Sequence, residues 1–487
     1  MFQKIVELYI VMVYNVLKSF ISEYKIGSDF IRFAKKQKRK LQDWWFYMNI
    51  RKHLTSSRII ISGFAGVILL GTILLCLPIS SKSGNITPFS DALFTATSAT
   101  CVTGLVVHDT ATYWSYFGQC VILLLIQIGG LGIVTVSLAL TMISGKKIGL
   151  MQRSTMQETI ASPKIGGMVK LTGFILKTTF LIETIGAFSM MPIFIKDFGI
   201  KGIWLSLFHS ISAFCNAGFD LMGTEMPYSS LTSYSNHAIL NAIVMVLIVV
   251  GGIGFLVWDD IKQNKFHIKK YRMQSKVVFV TTVFLIIVPA LYFYLYEFAG
   301  LATGERVLDS LFQSITTRTA GFNTADINSM SDVGKAVMII LMIIGGSPGS
   351  TAGGMKTTTI AILIFSAISV FRKKEDIECF KRRVPNGTVN DAAAILLMYL
   401  TLFIIGGLVI SFTEKIPLGS CLFETASAIG TVGLTLGITP MLSNISRAVL
   451  IALMFFGRVG GLTIIFAALS SGQRNLSKKP LEKITVG

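Results

Sequence analysis

The chain of 487 residues is short of charge: 14% are Asp, Glu, Lys or Arg, where a soluble domain carries about 25%. That leaves too little polar surface for a large globular enzyme. The 52% of hydrophobic residues is too high for a disordered chain. Acid is scarcer than base, 25 Asp and Glu against 44 Lys and Arg, a formal charge of +19. Cysteine is sparse: Cys76, Cys101, Cys120, Cys215, Cys379 and Cys421 form no close pairs, which argues against a disulfide scaffold or a zinc site. The five histidines, His53, His108, His209, His237 and His267, have no ligand spacing, and no pair of catalytic carboxylates stands out. Length alone allows several soluble domains. The composition instead makes lipid the solvent for most of the chain.

Apolar runs long enough to span a bilayer, about 20 residues each, predict eight helices. Four are outer helices near Ile59–Pro78, Met168–Pro192, Val277–Phe298 and Asp391–Phe412. Four more lie near Tyr113–Ile143, His237–Trp258, Val333–Val370 and Ser446–Leu469. Thirty-three Lys and Arg fall in alternate segments (1–58, 145–170, 259–276, 371–390 and the tail after 470), against seven in the opposite loops. Positive loops stay inside, so both termini are expected in the cytoplasm. The net charge then needs no nucleic acid, because anionic lipid attracts bases beside spans. Residues 1–57 are basic, and the apolar run Met1–Ser22 within them is broken by Lys4, Glu7 and Lys18, which makes it a poor span. They read either as an amphipathic helix on the inner surface or as a loosely ordered tail. No cleavage site for a signal peptide follows them.

Four segments look alike: Phe94 to Gly104, Phe208 to Gly218, Phe312 to Gly321 and Phe423 to Gly433. Their glycines stand 114, 103 and 112 residues apart. Each segment is too short to cross, rich in Ser and Thr, and set between two apolar runs on the side away from the basic loops. The second helix of every unit also carries a glycine pair: Gly129-Gly130, Gly251-Gly252, Gly345-Gly346 and Gly460-Gly461. Small residues let helices approach closely in lipid. The expected fold is an all-α integral membrane protein of four tandem helix–pore loop–helix repeats around a central pseudo-fourfold pore. The repeats are 58–145, 165–260, 275–372 and 390–470, flanked by the basic segment 1–57 and a tail 471–487.

Non-helical backbone at membrane depth is tolerated only where it faces protein or a water path. Four extended loops meeting on one axis meet that condition, and their carbonyl oxygens can replace the hydration shell of a cation. Glycine suits the turn after such a ring. The expected filter residues are Cys101, Val102, Thr103 and Gly104; Cys215, Asn216, Ala217 and Gly218; Arg318, Thr319, Ala320 and Gly321; and Gly430, Thr431, Val432 and Gly433. A metal is expected there only as the passing cation at the filter carbonyls.

These residues carry a resemblance. Thr103-Gly104-Leu105, Asn216-Ala217-Gly218-Phe219, the run Arg318 to Asn323 and Thr431-Val432-Gly433-Leu434 resemble the Trk/Ktr/HKT superfamily of potassium uptake proteins, most of all its KtrB type of membrane subunit, over roughly residues 58–470. Glycine at all four filter positions goes with potassium passage in that family, while serine in the first repeat goes with sodium-selective members. The related TrkH type has extra N-terminal spans that residues 1–57 do not clearly supply. The resemblance implies a homodimer in the bacterial cytoplasmic membrane, stimulation by Na+ and a cytosolic KtrA-like ring that binds ATP or ADP and also NAD-type nucleotides. It implies no cofactor in this chain and no enzymatic step.

Two elements are candidate gates. The first runs through Gly345, Gly346, Ser347, Pro348, Gly349, Ser350, Thr351, Ala352, Gly353 and Gly354 to Lys356. Its glycines and proline cannot continue a helix cheaply, and its polar backbone needs a wet cavity. A phosphate-binding loop is a poor rival, since Met355 stands where such a loop needs Lys. The resemblance makes this stretch an intramembrane gate loop; a passive helix break is the other reading. The second element is Arg458, a cation that costs about 2.5 kcal/mol or more in a membrane helix unless it meets water or a partner. It is expected either to face the pore below the filter as an electrostatic barrier or to form a packing salt bridge. Arg318 is expected to brace the filter through a carboxylate or backbone carbonyls. Asp91, Asp109, Asp220 and Asp326 read as steering charges or as ordinary solvated loop residues. His209 reads as a packed histidine. Lys177 reads as a lysine that snorkels inward. The function expected is a channel-like K+ uptake subunit. An ion-coupled cation transporter (Na+/K+ or H+/K+) and a nucleotide-driven membrane enzyme are the alternatives.

Overall fold

A computed structural model describes residues 55–144, 148–160, 166–224, 226–374, 376–461 and 463–464. Except for residues 55–57, the basic segment 1–57 lies outside them, as do the tail 471–487 and the basic residues Lys146, Lys147 and Lys164.

The four outer helices are α1 (Ser56–Leu75), α6 (Met168–Phe198), α10 (Met273–Tyr292, continued by a π turn to Glu297) and α14 (Asn386–Glu414). Each is long and apolar enough to cross a membrane. Their outward faces are greasy, with Phe188 64% and Phe412 88% exposed, which only a lipid surround makes cheap. The boundaries follow from local chemistry. The Thr55 hydroxyl accepts from the Arg58 amide and starts α1. Pro385 precedes α14, and Gly199, at φ 61, ends α6.

Each outer helix leads to a short pore helix: α2 (Phe89–Cys101), α7 (Lys201–Cys215), α11 (Thr303–Thr316) and α15 (Leu418–Gly430). Pro88 and Pro417 stand at the N-caps of α2 and α15, where a fixed φ and no N–H are harmless. Phe94, Phe208, Phe312 and Phe423, the leading residues of the four similar segments, are all 0% exposed. The repeat seen in the sequence is therefore one in packing.

The inner helices follow: α3 (Tyr116–Leu131) with α4 (Ile133–Ile143), α8 (Ala238–Gly252) with α9 (Phe255–Asn264), α12 (Asp332–Ile343) with α13 (Thr357–Phe371), and α16 (Asn444–Val459). Another helix, α5 (Leu150–Ile160), precedes α6. Ser115, Ser331 and Ser443 cap α3, α12 and α16 with their hydroxyls, as serine at an N-cap does. Carboxylates at the ends of two outer helices reinforce this: Glu297 accepts from the Ser331 amide at 3.0 Å and Glu414 from the Ser443 amide at 2.9 Å.

Two runs read as single helices are each a pair. Tyr113–Ile143 is two helices bent by 96° and His237–Trp258 two bent by 93°. The bends fall on Gly132 (φ 82) and Gly254 (φ 97), and Gly460 (φ 88) takes the same conformation after α16. Of the predicted Ser446–Leu469 helix, the part beyond residue 464 lies outside the described residues. Strands β1 (Ile377–Cys379) and β2 (Arg382–Val384) form an antiparallel hairpin. Its tip, Phe380 (φ 48) and Lys381 (φ 61), has the positive dihedrals of a two-residue turn.

Candidate functional site

The pore helices end alike. Val102, Asn216 and Thr431 adopt the left-handed conformation at the C-caps of α2, α7 and α15. The next amides, of Thr103, Ala217 and Val432, turn back to Ser98, Ser212 and Ser427 carbonyls at 2.8 Å each, the closure expected of a left-handed helix end. The third segment is one residue shorter; there Thr319 has φ 70, and the Ala320 amide bonds the Thr316 carbonyl at 3.0 Å.

Beyond these turns the four glycines meet. A Cβ placed on Gly104 would stand 2.5 Å from the Ala217 carbonyl oxygen and 3.0 Å from the Gly218 Cα. On Gly218 it would stand 2.9 Å from the Ala320 oxygen and 3.0 Å from the Gly321 Cα. On Gly321 it would strike the Val432 oxygen, 3.2 Å from the Gly433 Cα, and on Gly433 the Thr103 oxygen, 3.0 Å from the Gly104 Cα. The ring closes on itself in repeat order. All four glycines have positive φ, from 68 to 98, so any side chain there is strained in its dihedrals and short of space. Of the sixteen expected residues, the ring brings together the four glycines and the Thr103, Ala217, Ala320 and Val432 carbonyls, and all sixteen are buried.

A brace that sequence reasoning missed sits four residues after each leading Phe. The Ser98 hydroxyl accepts from the Gly104 amide at 3.1 Å and that of Ser427 from the Gly433 amide at 3.0 Å. The Ser212 hydroxyl donates to the Phe219 carbonyl and that of Thr316 to the Phe322 carbonyl. The signal was a hydroxyl at one register position of all four segments. A second brace lies one residue after Phe in two repeats: His209 Nε2 faces the Leu221 amide at 3.3 Å, and the Glu424 carboxylate accepts from the Leu436 amide at 3.1 Å and the Thr439 hydroxyl at 2.8 Å. His209 is therefore a packed histidine, as expected.

Residues 344–356 lie against the inner side of this ring. A Cβ on Gly353 would strike the Thr431 side chain, and one on Gly354 would stand 2.9 Å from the Gly430 oxygen. The loop satisfies its backbone through its neighbours: the Ser347 amide bonds the Gly252 carbonyl at 3.0 Å, the Gly354 amide the Gly457 carbonyl at 3.1 Å, and the Thr351 hydroxyl the Phe214 carbonyl at 3.0 Å. Lys356 Nζ folds back onto the Ala352 carbonyl at 2.8 Å. Arg458 donates to the Thr351 carbonyl on one side and to the Gly129 and Gly130 carbonyls on the other. It thereby ties the loop of the third repeat to the inner helix of the first. Among the described residues it has no carboxylate partner, so the packing salt bridge is not what holds it.

Other expectations need correction. The Arg318 guanidinium bonds neither carboxylate nor carbonyl among the described residues; its Nη2 reaches the Thr282 hydroxyl of α10 at 3.5 Å. Gly460-Gly461 does not match Gly129-Gly130. Gly129, Gly251 and Gly457 each press on the last turn of their own pore helix, at the Thr100, Phe214 and Ile429 carbonyls, so Gly457 is the counterpart. Asp91 and Asp109 are buried clasps, not solvated charges. Asp91 binds Arg447 of the fourth repeat at 2.7 Å and His108 at 2.9 Å. Asp109 accepts from the Tyr228 amide of the second repeat at 2.9 Å. Asp326 caps a turn, Asp220 bonds the Met222 amide, and Lys177 is exposed.

Comparison with known proteins agrees with this geometry. A family model described as TrkH, cation transport protein, matches residues 34–479. Among relatives, the chain is 42% identical over 450 residues to the potassium/sodium uptake protein NtpJ of Enterococcus hirae, covering 90% of this chain and 98% of that protein. It is 38% identical over 431 residues to the Ktr system potassium uptake protein B of Bacillus subtilis, covering 87% and 95%. The crystal structure of the potassium transporter TrkH from Vibrio parahaemolyticus shares the fold, with a TM-score of 0.67 at 20% identity, covering 95% of this chain and 96% of that one. A multi-pass membrane chain with four matching pore segments closed into a ring, matched by the family model over residues 34–479, belongs to the TrkH family of cation transport proteins.

Proposed function

We infer that the protein is the potassium-translocating, channel-like membrane subunit of a bacterial uptake system. The observation that carries this reading is the closed ring of Gly104, Gly218, Gly321 and Gly433, with the carbonyl oxygens of Thr103, Ala217, Ala320 and Val432 set between successive glycines. Main-chain oxygens contributed by four repeats are the ligand set that replaces the water of an alkali cation. The hydroxyls of Thr100, Thr103 and Thr431 are buried without a protein partner among the described residues, so their lone pairs remain for an ion or its water. The names of the relatives, potassium/sodium uptake protein and potassium uptake protein B, support potassium as the cargo and sodium as a second ion.

Residues 344–356 act as the gate and Arg458 as its latch. With the loop seated, polar backbone and two cations, Lys356 and Arg458, stand below the ring. Ions then meet an electrostatic barrier that falls when the loop leaves. Inward movement needs no covalent step, because the membrane potential supplies about 2.3 kcal/mol per charge per 100 mV. Release of the latch belongs to a KtrA-like cytosolic ring that binds ATP or ADP. The subunit works as a homodimer in the cytoplasmic membrane with both termini inside. The name Ktr system, shared by relatives from Bacillus subtilis and Vibrio alginolyticus, supports a multi-component assembly.

Cells lacking potassium uptake test the reading. The chain, with and without a cytosolic partner, should restore growth at low potassium, and Ser at position 104, 218, 321 or 433 should remove or alter that rescue. In vesicles, rubidium flux should follow the potassium gradient and voltage alone. Flux that instead requires a sodium or proton gradient would establish the ion-coupled alternative.

A further inference from the structure

The junction of the second and third repeats carries charge that the ring does not use. The chain leaves α9 at Lys265 and turns through residues 265–272 into α10. That turn is fixed: Tyr271 donates to the Lys265 carbonyl, Asp260 accepts from the Arg272 amide at 3.1 Å, and the Arg272 guanidinium reaches Asp259 at 3.0 Å and Asp260 at 3.3 Å. Between the turn, the start of α10 and the tip of the β1–β2 hairpin lies an open groove of about 800 Å³. Its floor is apolar, formed by Phe279, Val280 and Phe380, and Phe266 at its lip is 97% exposed. Its rim is Lys265, Lys269 and Lys276, and no acid lines it.

The pairing of charges decides what fits. Acids close by in the chain are already engaged: Asp259 and Asp260 by Arg272, Asp376 by Arg383 at 2.7 Å and Glu378 by Lys374 at 2.7 Å. Lys276 gives its ammonium to the Lys269 carbonyl at 2.8 Å. Lys265, Lys269 and neighbouring Lys381 have no carboxylate partner among the described residues. Unpaired ammonium groups stand over an apolar floor at the point where a spanning helix enters the bilayer. That is the complement of a molecule with an anionic head and a hydrocarbon tail. An acidic peptide in solution would match the lysines but not Phe279 and Val280, which sit about two turns into α10, roughly 10 Å down a helix rising 1.5 Å per residue.

We propose that this groove binds an anionic glycerophospholipid from the leaflet facing the basic loops, its phosphate at Lys265 and Lys269 and an acyl chain along Phe279, Val280 and Phe380. Basic pockets at the edge of a membrane bundle bind such head groups. The proposal is independent of the transport reading, since no groove residue belongs to the ring or the loop.

The test uses the full-length protein in detergent, incubated with phosphatidylglycerol or with phosphatidylcholine and examined by native mass spectrometry. Phosphatidylglycerol should be retained and phosphatidylcholine largely lost. Each lysine near a membrane surface strengthens anionic lipid binding about five-fold, so Lys265→Gln with Lys269→Gln should weaken retention by roughly 25-fold. Arginine at both positions should preserve it, as should Lys374→Gln, whose ammonium already serves Glu378. Should the glutamine pair fail to fold, Phe380→Ser at the hairpin tip reads the same groove and should also weaken retention. Equal retention of the two lipids, or retention unchanged in the glutamine pair and in Phe380→Ser, overturns the proposal. So does displacement of phosphatidylglycerol by a cytosolic protein or a second copy of the chain whose binding is lost with the same lysines.

Discussion

Two of the four inner helices turn a corner on a single glycine, while the third opens into a loop. Gly132 (φ 82) and Gly254 (φ 97) let the chain change direction without leaving helical hydrogen bonding for more than a residue or two, and Gly460 after α16 has a similar φ of 88. In the third repeat, residues 344–356 separate α12 from α13 and pack against the ring at Gly430 and Thr431. The four repeats are equivalent where they meet at the ring and unequal just below it. Equivalence suits a symmetric cage for a spherical ion. Inequality suits an element present once. The comparison predicts that changes at the ring act the same way in every repeat, and that changes below it act only in the third repeat and at Arg458.

The largest effect should come from the ring. Valine at Gly104, Gly218, Gly321 or Gly433 must adopt positive φ, at about 1–2 kcal/mol, and drive its side chain into the next repeat's carbonyl, at about 1–3 kcal/mol more for overpacking. Growth rescue at low potassium should disappear for each of the four. Full flux with valine at any one of them would break the equivalence.

Arg458→Gln should come next, in the opposite direction. It removes charge-assisted bonds to the Thr351, Gly129 and Gly130 carbonyls, each of a kind that contributes about 1.5–3 kcal/mol. The seated loop loses its latch, and rubidium flux per protein in vesicles should rise about ten-fold, the change that 1.4 kcal/mol in gate occupancy would give. Unchanged flux at equal protein would leave Arg458 as packing only. Alanine at Gly132 should separate the two regions further. It should cost about 1–2 kcal/mol of stability, read as a lower unfolding temperature, with no gain in flux, because a Cβ there meets the Thr159 side chain and not the loop.

How much of this was legible depended on whether a constraint acted within one segment or between segments. The four glycine-ended segments could be read because a left-handed turn after a short helix leaves its mark within a few residues. The bends at Gly132 and Gly254 could not, because the apolar runs continue through them and hydropathy is blind to direction. Gly460-Gly461 was matched to the wrong partner for a related reason. A glycine pair is visible as letters, whereas what selects Gly129, Gly251 and Gly457 is the approach of a pore-helix carbonyl from elsewhere in the chain. Arg458 was identifiable as a cation in lipid, but its ligands are carbonyls 107 and more than 320 residues away. No local pattern could have named them.

The smallest effect should come from the hydroxyl braces, and it distinguishes a ring shaped by its own backbone from one shaped by its pore helices. Ser98 and Ser427 each accept from the amide of their ring glycine, at 3.1 and 3.0 Å. A neutral bond of this kind contributes about 1 kcal/mol, and removing the acceptor leaves the amide buried and unpaired. Ser427→Ala should therefore lower the unfolding temperature modestly and leave growth rescue intact. The Val432–Gly433 unit, no longer pinned, can rotate, and the Val432 oxygen against Gly321 moves with it. The expected signature is a potassium-to-sodium flux ratio reduced about two- to five-fold, as expected for up to 1 kcal/mol of lost discrimination, with total flux little changed. Ser98→Ala should give the same signature from the opposite side of the fourth repeat, because the Thr103 oxygen abuts Gly433. If selectivity survives both changes while stability falls, the turn at Val102 and Thr431 alone holds the carbonyls, and the braces serve folding only.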